Sequence, residues 1–139
     1  MIDFSKFKKS DVLIVGWSDA SVSKGIKFNN SIPNRTLDTP QFDVGFYAGI
    51  YKGLNSKRSY VVLVNEITDY MIGKWVAIPC SIVDKVYFVG QCPEDLINII
   101  TNIPEKVVKK VIRSIKYDLR VRRGSFKKYR NRMVIKRFD

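Results

Sequence analysis

Histidine is absent from this chain of 139 residues. With it go the commonest general base and the commonest transition-metal ligand, and no Ser–His or Cys–His nucleophile can be built. Cysteine occurs only at positions 80 and 92, in neither a CxxC pair nor a disulfide framework, which predicts two reduced thiols in a cytoplasmic protein. Long apolar runs are missing too. No stretch approaches the length that crosses a bilayer, and residues 1–9 lack the apolar core of a signal peptide, so no membrane partner is expected. The glycines form no Walker-type or dinucleotide loop. Asp19, Asp38, Asp43, Glu66, Asp69 and Asp84 show no spacing that fits a two-metal cluster. No catalytic residue, metal or cofactor is therefore expected, and an enzyme is the least favoured class.

Acidic residues are a further shortage, and this one is local. Residues 1–102 carry 11 Lys and Arg against 10 Asp and Glu, whereas residues 103–139 carry 14 against only Glu105, Asp118 and Asp139. Nearly all of the net charge of +12 thus sits in the last quarter of the chain. Self-repulsion on that scale opposes compaction unless a polyanion relieves it. A basic face that merely aids solubility usually mixes both signs, so nucleic acid is the partner this distribution predicts.

What is present reads as a small β-rich body. Apolar residues make up 45% of the chain, ordinary for a globular protein and too many for a disordered one. Apolar runs at residues 12–15, 44–51, 60–65, 75–78 and 85–89, separated by turn residues, predict five short strands. Gly45 and Gly49 inside the second run mark a bulge or sharp bend. Residues 18–43, rich in Ser, Asn, Asp and Pro, read as a long loop. The expected fold class is α+β, a five-stranded antiparallel barrel over residues 1–90 followed by a helical and basic segment over 91–139. Trp17, Tyr47, Tyr51, Tyr60 and Trp75 either fill that barrel or line one mouth of it, and filling is the favoured role.

Val12-Leu13-Ile14-Val15-Gly16-Trp17-Ser18-Asp19-Ala20 resembles the first strand of the small SH3-like or Tudor-like barrel proteins common in phage genomes. Trp75-Val76-Ala77-Ile78-Pro79, continuing through Ile82 to Val86, resembles their fourth strand, helical turn and fifth strand. The resemblance covers roughly residues 10–89. More narrowly, the chain is similar to transcription modifiers of T-even phages, which pair such a barrel with DNA binding. The resemblance implies a phage early protein that acts on host transcription or the nucleoid, with a host protein of either kind as a further partner. The compact glycine-rich first loop of the related KOW motif is replaced by residues 18–43.

Pro93-Glu94-Asp95 and Pro104-Glu105 each open a helix, with proline and acid in the first turn. In the second helix Val107, Val108, Val111, Ile112, Ile115 and Leu119 form an apolar stripe. Lys106, Lys109, Lys110, Arg113, Lys116 and Arg120 recur on the opposite side over about four turns, a row suited to phosphates. Beyond it Arg122, Arg123, Lys127, Lys128, Arg130 and Arg132 alternate with Phe126 and Tyr129. The two rings either stack on exposed bases or anchor the segment to the body, where it pairs as an extra hairpin. The expected function is sequence-tolerant binding of DNA, because charge alone supports affinity and not base reading. RNA or the ribosome is the first alternative, and an acidic surface on a host protein that the chain inhibits is the second.

Overall fold

The computed structural model describes residues 2–19, 39–53, 57–112 and 119–126. The strands are β1 (Val12–Asp19), β2 (Thr39–Lys52), β3 (Ser59–Thr68), β4 (Met71–Pro79), β5 (Val83–Gly90) and β6 (Arg122–Ser125); the helices are α1 (Glu94–Thr101) and α2 (Glu105–Val111). Among the described residues no helix is long and apolar enough to cross a membrane.

β3 occupies the middle because its sequence is apolar on both sides. Val61 and Leu63 point into one core and Tyr60, Val62 and Val64 into the other, and all five are fully buried. A strand covered on both faces reads as a continuous apolar run. β4 repeats the pattern, with Val76 and Ile78 in the first core and Trp75 and Ala77 in the second. The first core also holds Leu13, Val15, Trp17 and Tyr47, and Phe4 and Phe7 of the N-terminal segment close over it. In the second core α1 contributes Ile99 and Ile100 and α2 contributes Val107 and Val108. One core therefore joins residues on both sides of position 90.

All pairings are antiparallel, in the order β5-β1-β2-β3-β4-β6. This corrects the expected closed five-stranded barrel: among the described residues the sheet has six strands and is open, with β5 and β6 at its edges. The sixth strand comes from the basic segment, where Arg122-Arg123-Gly124-Ser125 pairs with Ala77 to Lys74 of β4. Open order does not mean flat. Arg123 on β6 and Asp43 on β2 are bonded at 2.6 Å, although three inter-strand steps would hold them about 14 Å apart in a planar sheet. The sheet curls until the third strand along from β2 comes back within side-chain reach.

One local prediction holds in detail. The β2–β3 register slips between Tyr47 and Gly49, and Gly49 has φ 118°, so the glycine does mark a bulge. At Gly45 a Cβ would lie 2.6 Å from the Val64 carbonyl oxygen, so only glycine admits that approach of β2 to β3. The loop expected over 18–43 is shorter at both ends, because residues 39–43 pair with β1; residues 20–38 lie outside the described residues. Pro40 is tolerated there because β2 meets β3 only from Phe46 onward, leaving its missing N–H on an unpaired side.

α2 ends at Val111, not near residue 119, and Leu119 and Arg120 are not helical. Its last turn is crowded with β-branched residues of low helix propensity, and the chain must turn back to lay β6 on β4. Just after β6, Phe126 is fully buried with its ring 5.7 Å from that of Trp75.

Removing that packing gives a stability test. Phe126→Ala is expected to cost about 3–5 kcal/mol, read as a fall in the urea midpoint with an unchanged slope. Ending the chain after Gly90 strips α1, α2 and β6 from Val62, Trp75 and Ala77, and the fragment should lose its cooperative transition. A soluble fragment that unfolds sharply would contradict the shared core.

Candidate nucleic-acid interface

The predicted cations fall into three groups. Lys106, Lys109 and Lys110 stand on α2, opposite the buried Val107 and Val108, so the division of the helix into an apolar and a basic side is correct over these two turns. Lys106 and Lys110 are exposed. Lys109 lies 3.1 Å from Glu105, an exposed pair one turn apart that contributes at most a few tenths of a kcal/mol. Arg120, Arg122 and Arg123 form the second group, on the approach to β6 and on β6 itself. Arg120 is therefore not in line with the α2 lysines on one helix, which corrects the expected four-turn row. The third group, Arg113, Lys116, Lys127, Lys128, Arg130 and Arg132, lies outside the described residues, as does Tyr129.

Arg123 departs furthest from its expected role. Its Nη1 donates to Asp43 Oδ1 at 2.6 Å and its Nη2 to Oδ2 at 3.1 Å, a two-pronged pair. The Trp17 indole N–H donates to the same Oδ2 at 2.8 Å. In register Asp43 stands opposite Val15 and Arg123 opposite Val76, so both belong to the concave face that those valines line. The carboxylate is only 11% exposed, whereas Arg123 keeps half of its side chain in solvent. Charge-assisted bonds of this geometry are the strong ones, so Arg123 serves the fold before it can serve a phosphate. Asp43 was weighed from the sequence only as a metal ligand. The one signal for its role was an acid inside the apolar run Phe42-Asp43-Val44-Gly45-Phe46.

Phe126 is likewise reassigned. Expected as a stacking ring, it is buried behind Trp75 and its backbone N–H donates to Gly73 O at 3.2 Å. The anchoring alternative describes it, and no face is left for a base. The aromatic set Trp17, Tyr47, Tyr51, Tyr60 and Trp75 is buried throughout and split between the two cores, so it fills the body and lines no common mouth.

Beside β6 the surface sinks into a cleft of about 590 Å³ lined by Asn65, Lys74, Trp75, Arg123, Gly124 and Ser125. Its wall is mostly carbon. Lys74 lies 3.5 Å from Glu66 across β3 and β4, and Asn65 Nδ2 donates to Val44 O at 2.7 Å, which fixes the amide. Among the described residues no cluster of Cys, Asp and Glu fits a metal ion. Both cysteines are free. Burial pushes the Cys80 thiol up to about 11 and raises that of Cys92, so both are protonated and weakly nucleophilic at neutral pH.

Asp43→Asn keeps the shape but removes the charge that holds Arg123 and Trp17. The expected loss is about 1–3 kcal/mol, measured by chemical denaturation. An equal loss for Arg123→Ala and no further loss in the double variant would identify the pair as the source.

Compared with known protein families, with curated proteins and with solved structures, the chain matches none of them, and the case for a function rests on these residues.

Proposed function

We propose that this protein binds nucleic acid, chiefly DNA and with little regard to sequence, through the basic segment of residues 103–139. The observation that carries the reading is the division of charge: 14 cations against three acids in that segment, and near balance in the rest. The placement of the described cations supports it. Lys106 and Lys110 project from a helix whose other side is anchored by Val107 and Val108, so little ordering entropy is lost when they meet phosphates. Arg120 is exposed just before β6. A small curled sheet that presents such a segment also suits the phage early protein that the sequence resembles, one that acts on host transcription or the nucleoid.

One observation favours a second reading, an interaction module for a host protein with an acidic surface. On the outer side of β1, β2 and β5 the side chains of Phe42, Val44, Tyr87 and Val89 are about half exposed, and Phe88 joins them at the β5 edge. Apolar patches of this kind often mark protein contacts. Copurification before and after nuclease treatment separates the two. Material held through nucleic acid is lost on digestion, and a direct protein partner is retained.

The primary test is electrostatic. If the segment neutralises about six to ten phosphates, affinity for a DNA duplex should fall by about three to five decades between 50 and 200 mM salt. Fluorescence anisotropy titrations at several salt concentrations measure this. Replacing Lys106, Lys109 and Lys110 with Glu should weaken binding at least tenfold more than replacing Lys8, Lys52 and Lys85, which changes the net charge equally. A flat salt response, or equal losses from the two triples, would refute the localisation. Competition between duplex DNA and structured RNA then ranks the two nucleic acids.

A further inference from the structure

The two edges of the sheet are finished differently. β6 offers Arg122-Arg123-Gly124-Ser125, and cations blunt an exposed ladder. β5 carries no charge and no proline from Val86 to Val89, and Tyr87, Phe88 and Val89 are each about half exposed. Among the described residues its backbone pairs with β1 alone, so a row of N–H and C=O groups faces away from the sheet. The register with β1 is regular from Lys85 to Phe88 and slips on either side of that span. A regular, uncharged edge is the kind that pairs with another chain.

The outer face beside this edge is apolar as well. Tyr87, Ile14 and Val44 stand opposite one another in a row across β5, β1 and β2. In the next row the Phe42 ring lies over Gly16, where a Cβ would come within 2.9 Å of it. α1 and α2 cover the same face over Val62, Val64, Trp75 and Ala77, whereas Phe42, Val44 and Tyr87 stay about half exposed. Apolar area and unpaired backbone thus adjoin.

The charges at the ends of β5 decide what fits there. Lys85 is exposed where the regular span begins. Past the other end, Gly90 leads to Glu94 and Asp95, both exposed in the first turn of α1. Asp84, beside Lys85, already accepts a bond from Ser18 Oγ. The edge therefore has a cation at one end and two acids at the other. A partner of uniform charge satisfies only one end. A second edge of the same sequence, running antiparallel, sets each Lys85 toward the acids of the other molecule, twice by symmetry.

We infer that β5 pairs antiparallel with β5 of a second copy of this chain, about a two-fold axis at Tyr87. Such an axis keeps outer side chains beside outer ones. It places Tyr87 opposite Tyr87 of the second copy, and Val86 opposite Phe88, the aromatic and apolar cross-strand pairs that sheets favour. Centring on Val86 would instead set Lys85 against Tyr87 and Asp84 against Phe88. The row Tyr87-Ile14-Val44 then continues across both molecules. The pairing does not depend on what the basic segment binds. Taken with the nucleic-acid reading, it gives one particle two such segments and hence bivalent attachment.

Sedimentation equilibrium of the full chain after nuclease treatment tests the pairing. The expected result is a reversible equilibrium between monomer and dimer that goes no further. Tyr87→Lys places two cations at the axis and should weaken association by about tenfold or more. Should that variant unfold in urea earlier than the wild type, Phe88→Lys on the same edge takes its place. Lys85→Glu should weaken association as well, and adding Glu94→Lys with Asp95→Lys should restore it, a rescue that a merely adhesive patch would not give. A chain that is monomeric at every concentration would overturn the inference. Assembly that continues past the dimer, a dimer indifferent to the edge lysine, or a charge reversal that restores nothing would overturn it equally.

Discussion

The curl of the sheet depends on a carboxylate, Asp43, standing on a face otherwise lined by Leu13, Val15, Leu63 and Val76. A charge this little exposed is tolerable only with partners, and it has two of them, the Trp17 indole and the Arg123 guanidinium. The bond to Trp17 ties it to the neighbouring strand. The bonds to Arg123 reach across the concavity to the far edge. The ladder with β4 sets where β6 lies, and the bridge holds its far edge toward β2 across the concavity. A hydrogen-bonded barrel fixes its curvature by closing its ladder, whereas here a side-chain bridge spans an open one.

This arrangement gives part of the basic segment a structural duty. Arg123 and Phe126, both read from the sequence as ligand contacts, turn inward, one to the carboxylate and the other to the core. Lys106, Lys110 and Arg120 remain at the surface. The excess of positive charge thus does not convert one for one into binding groups. Among the described cations, Arg123 pairs with an acid of the body, and Lys106 and Lys110 stand on a helix anchored by Val107 and Val108.

The strand framework was legible because burial on both faces leaves a plain trace. Tyr60-Val61-Val62-Leu63-Val64 and Trp75-Val76-Ala77-Ile78 are uninterrupted apolar runs, and Gly49 identified its bulge. The two helix starts were equally clear from Pro93 and Pro104 with the acids that follow. Three things were hidden. β6 contains only Arg, Gly and Ser, with no apolar alternation, and is a strand because β4 has a free edge to pair. The end of α2 is set by the need to return to that edge, a tertiary demand that overrides a helical pattern. Asp43 and Arg123 are 80 residues apart, and local spacing says nothing about such a pair. Most of the fold could therefore be read from the sequence. Of the candidate site, only its charge and the α2 face could be read, because the cleft exists only once β6 is in place.

β6 is also the last described strand to be synthesised. Until residue 126 has emerged, β4 presents an unpaired edge, Trp75 lacks its aromatic neighbour, and Asp43 sits on an apolar face without its cation. Each is a liability on its own, and an open edge invites pairing with another chain. Chains arrested or trimmed before this point would be the ones that proteases and chaperones recognise. The order of synthesis thus leaves these three faults uncovered together until Phe126 has emerged.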